Sequence, residues 1–335
     1  MADPLISILV PFKNTAAYLK ECLDAILNQT HTNWELLIVD DHSTDLSEAI
    51  VGGYAQRDAR IKLFKNTGVG IITALRKAYS ESQGSYITRM DSDDRMHPNK
   101  LELMLKDLQT HGEKHLALGL VSYFSEQGIG NGFRSYETWL NELTSQGANF
   151  LDLYKECVIP SPCWMVHRDD FEACGAFRSD TYPEDYDLAF RFYAYGMTCI
   201  PSDRVLHYWR DHANRASRTD ANYAENNFLE LKVHYFLQLH HDASRPLCVW
   251  GAGKKGKQIA RLLKAKAISF QWLCDNPKKI GKHIYDVQLQ HYQALHTLNQ
   301  PQLIIAVANR EEQQSITEFC KEKRWTALKD YFFFC

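Results

Sequence analysis

The chain has 335 residues, with 38 basic and 41 acidic side chains for a formal charge of −3, and a mean hydropathy of −0.39. At about 150 residues per domain, that length predicts about two domains. A 45% hydrophobic and 24% charged composition excludes disordered, fibrous and low-complexity chains. The near balance of charge leaves no global field to draw the protein to nucleic acid, so any polyanion it binds must be small and locally recognised. Nine cysteines, an odd number, are spread without a Cys-x-x-Cys pair, which argues against a structural zinc site or a disulfide framework. No apolar run approaches the roughly 18 to 20 residues of a membrane span, and Met1-Ala2-Asp3-Pro4 leads into a strand rather than a signal peptide, so a reducing cytoplasm is the expected location.

In chain order, Leu5-Ile6-Ser7-Ile8-Leu9-Val10 reads as a strand closed by Pro11, and Tyr18, Leu19, Cys22, Leu23, Ile26 and Leu27 mark the following helix. The rhythm repeats in a strand over 34–39 closed by Asp40-Asp41, a strand over 61–64, a helix near 70–81 and a strand at Tyr86-Ile87-Thr88. Strands alternating with helices predict an α/β fold with a mostly parallel sheet, whose ligands sit beyond the carboxyl ends of the strands. A helix through Leu101, Leu105 and Leu108, a Gly-rich passage at 128–132 and helical stretches near 136–157 complete the first domain. A helix around 221–241, with Leu229, Val233, Phe236 and Leu237 on one face, leads to a linker at 242–246. The expected domains are therefore 1–243 and 246–335. The second opens as a strand at 247–250, a glycine loop and a helix through Ile259, Leu262 and Leu263, with further strands near 270–274 and 303–307.

The densest chemical signal is Arg89-Met90-Asp91-Ser92-Asp93-Asp94, directly after a strand. Three carboxylates on one strand-end loop suit a hard divalent ion, which takes oxygen ligands and bridges to substrate phosphates, although aspartates also favour turns and helix caps. Asp40-Asp41 and Asp45 end the preceding strand, where a carboxylate can accept hydrogen bonds from a nucleobase or ribose. Pro183-Glu184-Asp185-Tyr186-Asp187 and Tyr208-Trp209-Arg210-Asp211-His212, the latter passage ending at Ser217, are the third and fourth elements.

In this order the pieces resemble the family 2 glycosyltransferases, which have the GT-A fold. The resemblance covers roughly residues 5–220 and is carried by Ser7 to Asn14, Val39 to Asp45, Gly84 to Ile87 running into Asp91-Ser92-Asp93-Asp94, Pro98 and Glu184-Asp185. It implies that Asp41 contacts the nucleobase of a nucleotide-sugar donor, with Pro11 and Lys13 lining the same pocket and Arg76 and Ser92 beside it. Asp91 lies toward ribose and metal, and Asp93 is the direct ligand of Mn²⁺ or Mg²⁺. Asp185 is the catalytic base, while Glu184 orients it, binds the acceptor or merely caps its helix. Arg210 belongs to a loop that closes over the diphosphate, and His212 joins the metal shell.

The implied reaction is an inverting transfer to a hydroxyl of a glycan or lipid-linked glycan acceptor in bacterial surface polysaccharide synthesis. Uridine donors are favoured by family frequency, with peripheral contact at the inner membrane face and a homo-oligomer also expected. Lys13 stands where many relatives carry Tyr, Arg76 where many carry Asn, and the absence of a Gln-x-x-Arg-Trp motif favours a non-processive enzyme. Trp164 either stacks on an acceptor sugar or packs in the core, the latter being the more common fate of a tryptophan. A nucleotide-sugar pyrophosphorylase should carry a Gly-rich, Arg-containing loop after the first strand, where Pro11-Phe12-Lys13-Asn14 stands instead. A non-catalytic sugar-nucleotide sensor would tolerate loss of Asp185.

In the second domain Gly251-x-Gly253-x-x-Gly256 follows a strand and opens a helix, and Asp275 ends the next strand. That is the placement of a dinucleotide fingerprint, with the acid available to a ribose hydroxyl. The passage from Asp275 to Gly281 also resembles small Rossmann-like domains attached to bacterial sugar-modifying enzymes, which weighs against a bound dinucleotide. The aromatic run Tyr331 to Phe334 is expected to complete a strand or pack the domain, with a subunit contact as the alternative.

Overall fold

The computed structural model describes residues 3–213, 215 and 228–335. The strands are β1 (Ile6–Phe12), β2 (Trp34–Asp40), β3 (Ile61–Lys65), β4 (Tyr86–Arg89), β5 (Arg95–Met96), β6 (His115–Leu118), β7 (Leu120–Phe124), β8 (Trp164–His167), β9 (Thr198–Ile200) and β10 (Val205–Arg210), followed by β11 (Leu247–Trp250), β12 (Gln271–Cys274), β13 (His283–Ile284), β14 (Val287–His291), β15 (Gln302–Ile305) and β16 (Tyr331–Phe333). The helices are α1 (Ala16–Leu27), α2 (Ser47–Ala55), α3 (Ile71–Ser80), α4 (Lys100–His111), α5 (Asn131–Gln146), α6 (Arg168–Ala173), α7 (Glu184–Tyr195), α8 (Phe228–Leu239), α9 (Lys254–Ala265) and α10 (Arg310–Glu322).

The chain divides into two units, the described residues of Met1–Phe150 with Val158–Asp220, and those of Leu151–Cys157 with Ala221–Cys335. The second unit thus takes in α8 as well as the residues after 246, because Tyr154, Phe236, Phe332 and Phe334 pack as one aromatic cluster. The predicted helix at 221–241 is described only over Phe228–Leu239, and its earlier part lies outside the described residues.

The first unit is built on a seven-stranded sheet of order β3-β2-β1-β4-β8-β6-β9. Strands β3, β2, β1 and β4 are parallel neighbours, while β8 runs antiparallel to both β4 and β6. All seven residues of β1 and of β2 are buried, as a parallel sheet covered on both faces requires. Helix α1 packs through Leu19, Cys22, Leu23 and Ile26, the spacing of one helical face. A smaller sheet, β5-β10-β7, carries the later polar motif.

Two expectations change. The helical stretch expected near 136–157 is α5 over Asn131–Gln146, ended by Gly147 in the left-handed conformation at φ 64°, with the Ala148 amide donating to the Leu143 carbonyl at 2.9 Å. Strands β5 to β10 are not among the elements expected from the sequence, and the structure places them in the later part of the first unit.

The second unit holds a six-stranded sheet of order β13-β14-β12-β11-β15-β16, parallel throughout except for the β13–β14 pair. The aromatic run at 331–334 forms edge strand β16, with Phe332 and Phe334 buried.

Candidate active site

Parallel β2, β1 and β4 all end at one edge of the first sheet, so Asp41, Lys13 and the acidic loop after Arg89 emerge side by side. Asp41 is 6% exposed. Its Oδ1 accepts from Asn66 Nδ2 at 2.6 Å and from the Gly70 amide at 2.9 Å, and its Oδ2 lies 3.7 Å from Lys13 Nζ. Two fixed donors therefore orient the carboxylate, and Lys13, half exposed, is the mobile third. Pro11 is buried within β1, in register with Val39. Asp45 is spent locally, accepting the Ala16 amide at the start of α1 and the Ser47 amide.

The three carboxylates of the acidic loop have three different fates. Asp91 Oδ1 accepts from Arg89 Nε at 3.2 Å and Nη2 at 3.1 Å. Asp93 Oδ2 meets His212 Nε2 at 2.8 Å. Asp94 is 1% exposed and takes the Arg210 amide at 2.7 Å and His207 Nε2 at 2.9 Å. Burial, then the neighbouring Asp93 and Asp91 charges, pushes the Asp94 carboxyl up, and burial pushes the His207 imidazole down. The pair stitches β10 to the acidic loop. Ser92, also buried, donates to Thr15 Oγ1 at 3.0 Å.

Arg210 is committed by its side chain too: Nε donates to the Asp93 carbonyl at 2.7 Å and Nη2 to Glu21 at 3.0 Å, with the guanidinium over Tyr18 and Phe124. It shapes the loop that presents Asp93. The His212 ring packs on Tyr18 with centroids 4.5 Å apart, and its Nδ1 is buried with no hydrogen-bond partner among the described residues.

Among the described residues no three His, Cys, Asp or Glu side chains converge as a metal-binding set. The Asp93 and His212 pair offers one oxygen and one nitrogen. That fits a divalent ion of the kind that keeps few protein ligands and fills its shell from substrate phosphates and water.

On the other side of Asp91 stands α7. Glu184 is 4% exposed, its Oε1 accepts from Arg89 Nη1 at 2.8 Å, and its Oε2 is buried without a partner among the described residues. Asp185 Oδ1 accepts the Tyr186 amide at 2.8 Å. Burial, reinforced by the Glu184 charge and opposed by Arg89, raises the Asp185 carboxyl to about 7.

Arg76, expected at the donor pocket, is placed elsewhere, and Trp164 takes the core position, the more common of its two expected fates. Arg76 turns its guanidinium to the loop before α7, donating to the Phe177 carbonyl at 3.0 Å and to Asp180 at 2.7 Å. Trp164 is 2% exposed on β8, packed on Phe171 and Phe192 with ring centroids 5.6 and 5.9 Å away, so it has no face to offer an acceptor sugar. Its hydrophobic area is spent in the core.

In the second unit the glycines serve packing. A Cβ on Gly256 would stand 2.0 Å from the Gly251 carbonyl oxygen, and one on Gly251, at φ 122°, 2.9 Å from the Ala306 carbonyl oxygen. Gly253 has open space around it, and Asp275 is exposed. The Gly251 carbonyl accepts the Trp272 indole N–H at 2.9 Å, and Lys279 Nζ holds the Ala252 carbonyl at 2.9 Å.

Sequence reasoning passed over Arg89, Asn66, His207 and Lys100. The last is fully buried on α4, with Nζ donating to the Pro162 carbonyl at 2.5 Å, and burial lowers its pKa. Arg89 carried a signal: an arginine two residues before the first loop aspartate, ending an otherwise apolar strand.

These positions coincide with a known family. The profile of glycosyl transferase family 2 matches residues 7–175, and the chain belongs to that family. The match ends before Glu184-Asp185 and before Arg210 and His212.

Among curated relatives, Glycosyltransferase GlyG of Streptococcus pneumoniae serotype 4 is 36% identical over 136 residues, which are 40% of this chain and 44% of that one. The putative teichuronic acid biosynthesis glycosyltransferase TuaG of Bacillus subtilis is 36% identical over 123 residues, 36% of this chain and 47% of that one. The chain thus spans less than half the length of these relatives.

Of solved structures, S. aureus TarS 1-349 in complex with UDP-GlcNAc shares the fold at a TM-score of 0.53 and 16% identity, covering 77% of this chain and 71% of that one. The mannosyltransferase PcManGT from Pyrobaculum calidifontis, in complex with GDP-Man and Mn²⁺, does so at 0.50 and 20%, covering 77% and 68%. The first unit is a GT-A-type α/β fold. No helix among the described residues is long and apolar enough to cross a membrane.

Proposed function

We propose that the first unit is a metal-dependent, inverting, non-processive glycosyltransferase that moves a sugar from a uridine diphosphate donor to a hydroxyl of a glycan or lipid-linked glycan. The observation that carries the reading is one loop with two partners: Asp93 stands 2.8 Å from His212, while Asp91 is joined through Arg89 to Glu184, the neighbour of Asp185. Donor-side and base-side groups thus converge at one sheet edge.

In this reading Asp41, oriented by Asn66 and Gly70, accepts hydrogen bonds from the nucleobase, Pro11 walls the pocket, and Lys13 closes on it. Asp91 receives the ribose. Asp93 and His212 hold Mn²⁺ or Mg²⁺, which when bound offsets the charge growing on the departing diphosphate. Asp185 takes the proton from the acceptor hydroxyl as its oxygen bonds to the sugar C1. The C1–O bond to the diphosphate breaks on the opposite face, inverting the anomeric centre. A carboxyl raised to about 7 is ionised yet still basic near neutral pH, as a general base must be. Arg210 supports the chemistry through the Asp93 carbonyl rather than by direct contact with phosphate.

The donor class rests on the UDP-GlcNAc complex of TarS, and the metal on the Mn²⁺ complex of PcManGT. A place in bacterial surface polysaccharide synthesis is drawn from relatives such as TuaG, named for teichuronic acid biosynthesis, and a cytoplasmic position peripheral to the membrane is part of the same proposal. We assign the second unit no part in the transfer chemistry. The test is release of UDP from a panel of UDP-sugars with Mn²⁺ in the absence of acceptor, followed by transfer with candidate glycans. One active donor, with activity lost on chelation and restored by Mn²⁺, is expected; a panel of uridine, guanosine and thymidine sugars that are neither bound nor cleaved would overturn the reading.

A further inference from the structure

Arg89 occupies a position that neither the acidic loop nor the base motif explains alone. It ends the short parallel strand β4, and its side chain is only 6% exposed. Nε and Nη2 are given to Asp91, Nη1 to Glu184. A buried guanidinium can reach two carboxylates from one rigid plane, which a lysine cannot do. The charged groups facing Asp185 are Glu184 on its own helix, Arg89 on β4 and Asp91 on the loop after it. One cation therefore serves three carboxylates drawn from two separate elements.

We propose that Arg89 is a positioning residue that ties the donor-side carboxylate Asp91 to the helix carrying the base, so that placement of one fixes placement of the other. The proposal rests on the transferase reading. Its physical content is that Asp91 and Glu184 share a single planar donor: moving either carboxylate by an ångström breaks a hydrogen bond to the other's partner. Pro183 at the N-cap of α7 offers no side-chain cap, and Glu184 in the first turn of that helix is tied to β4 through Arg89. Glu184 Oε2 has no partner among the described residues, so the contact with Arg89 runs through a single Glu184 oxygen.

The experiment compares wild type, Arg89→Met, Arg89→Lys, Glu184→Gln and the Arg89→Met/Glu184→Gln double variant. The readouts are kcat, donor KM, the pH profile of kcat and thermal melting, with Mn²⁺ and the UDP-sugar selected by the hydrolysis screen. Arg89→Met is expected to lower kcat about 100-fold, the scale of a small misplacement of reacting groups, and to raise donor KM as well, since Asp91 loses its anchor. The acid limb of its pH profile should move to higher pH, because the cation opposing the Asp185 proton is gone. Glu184→Gln should move the limb to lower pH, and Arg89→Lys should recover part of kcat. The double variant should be little worse than Arg89→Met, since both changes cut the same link.

Losses that multiply across the cycle, or a fall in kcat with an unmoved limb, would overturn the bridge. If Arg89→Met does not fold, Glu184→Gln and Arg89→Lys carry the test by the direction of their limbs. If wild type turns over no nucleotide sugar, the transferase reading fails. The bridge is then judged by the melting temperatures of the same cycle, where additive shifts would overturn it.

Discussion

Two regions of this protein lie at the carboxyl ends of parallel strands and carry motifs associated with nucleotides, yet their side chains are used in opposite ways. Around Asp41, Asp91, Asp93 and Glu184 in the first unit, the carboxylates are withdrawn from water, fully at Asp41 and Glu184 and partly at Asp91 and Asp93, and each is aimed by a donor on another element. Around Gly251, Gly253 and Gly256 in the second, two of the three glycines are demanded by the approach of backbone to backbone, and the acid meant for a ribose lies exposed. Burying a carboxylate carries a desolvation cost that packing alone does not recover, whereas a glycine in a tight turn needs no ligand to justify it. Polar groups held at a cost point to function more firmly than spaced glycines do.

The sharpest way to break that contrast is to remove the aimed carboxylates. Asp93→Ala and Asp185→Asn are each expected to reduce transfer by about 10²–10⁴-fold, the range for loss of a positioned acid–base or charge-stabilising group. Isothermal titration with the UDP donor and Mn²⁺ should find binding weakened in Asp93→Ala and retained in Asp185→Asn. Full transfer by Asp185→Asn would remove the assigned base.

The same residue predicts a pH dependence of both rate and stability. With the folded carboxyl raised to about 7, kcat should fall as pH drops below about 7, where the base is protonated. For stability the sign is reversed: between the ordinary aspartate value and about 7 the native state binds the proton that the unfolded chain has released, so stability falls as pH rises through that window. Asp185→Asn should therefore melt at a higher temperature than wild type at pH 8, with the difference vanishing near pH 4. A melting curve that shows the opposite order would mean that Asp185 is not held in a proton-retaining site.

Asp94 separates holding from binding within the acidic loop. Asp94→Ala leaves the Arg210 amide and the His207 ring without their acceptor, a loss of about 3 kcal/mol by chemical denaturation. Asp91→Ala, whose carboxylate is partly exposed, should cost less stability and more donor affinity.

How much of this was legible in the sequence follows the same line. Apolar runs marked the strands β1, β2, β4, β11, β12 and β15, which are buried on both faces along nearly their whole length, and the partly buried edge strand β3; the strand-end carboxylates at 40–41 and 91–94 stood out by density. The fates of Asp91, Asp93 and Asp94 could not be told apart. They depend on Arg89, His212 and His207, and the two histidines come from β10 and the residues just beyond it, more than a hundred positions later. Arg210 was expected at the diphosphate, and only the β5-β10-β7 sheet shows its side chain given to Asp93 and Glu21. Arg76 shows the same limit: residue type suggested a ligand, while the loop at 177–180 had already taken the side chain. Trp164 took the core place, against the Phe171 and Phe192 rings, that its residue type favours.

The glycine loop supplies the finest test of the contrast. In a phosphate cradle the middle glycine allows close approach of the ligand, so Gly253→Ala should abolish binding and Gly256→Ala should harm it. In a loop shaped by packing the order is different. A Cβ on Gly256 would collide with the Gly251 carbonyl oxygen at 2.0 Å, and overpacking of that kind costs about 1–3 kcal/mol. At Gly253, φ −82° suits any residue and nothing lies within 4 Å of a Cβ, so Gly253→Ala should stay within about 0.5 kcal/mol of wild type. Asp275→Ala, exposed, should do the same. Chemical denaturation of the full chain measures both, and titration of wild type with NAD(H) is expected to be flat. Saturable NAD(H) binding, lost in Gly253→Ala while the fold keeps its stability, would show that this loop was aimed at a ligand after all.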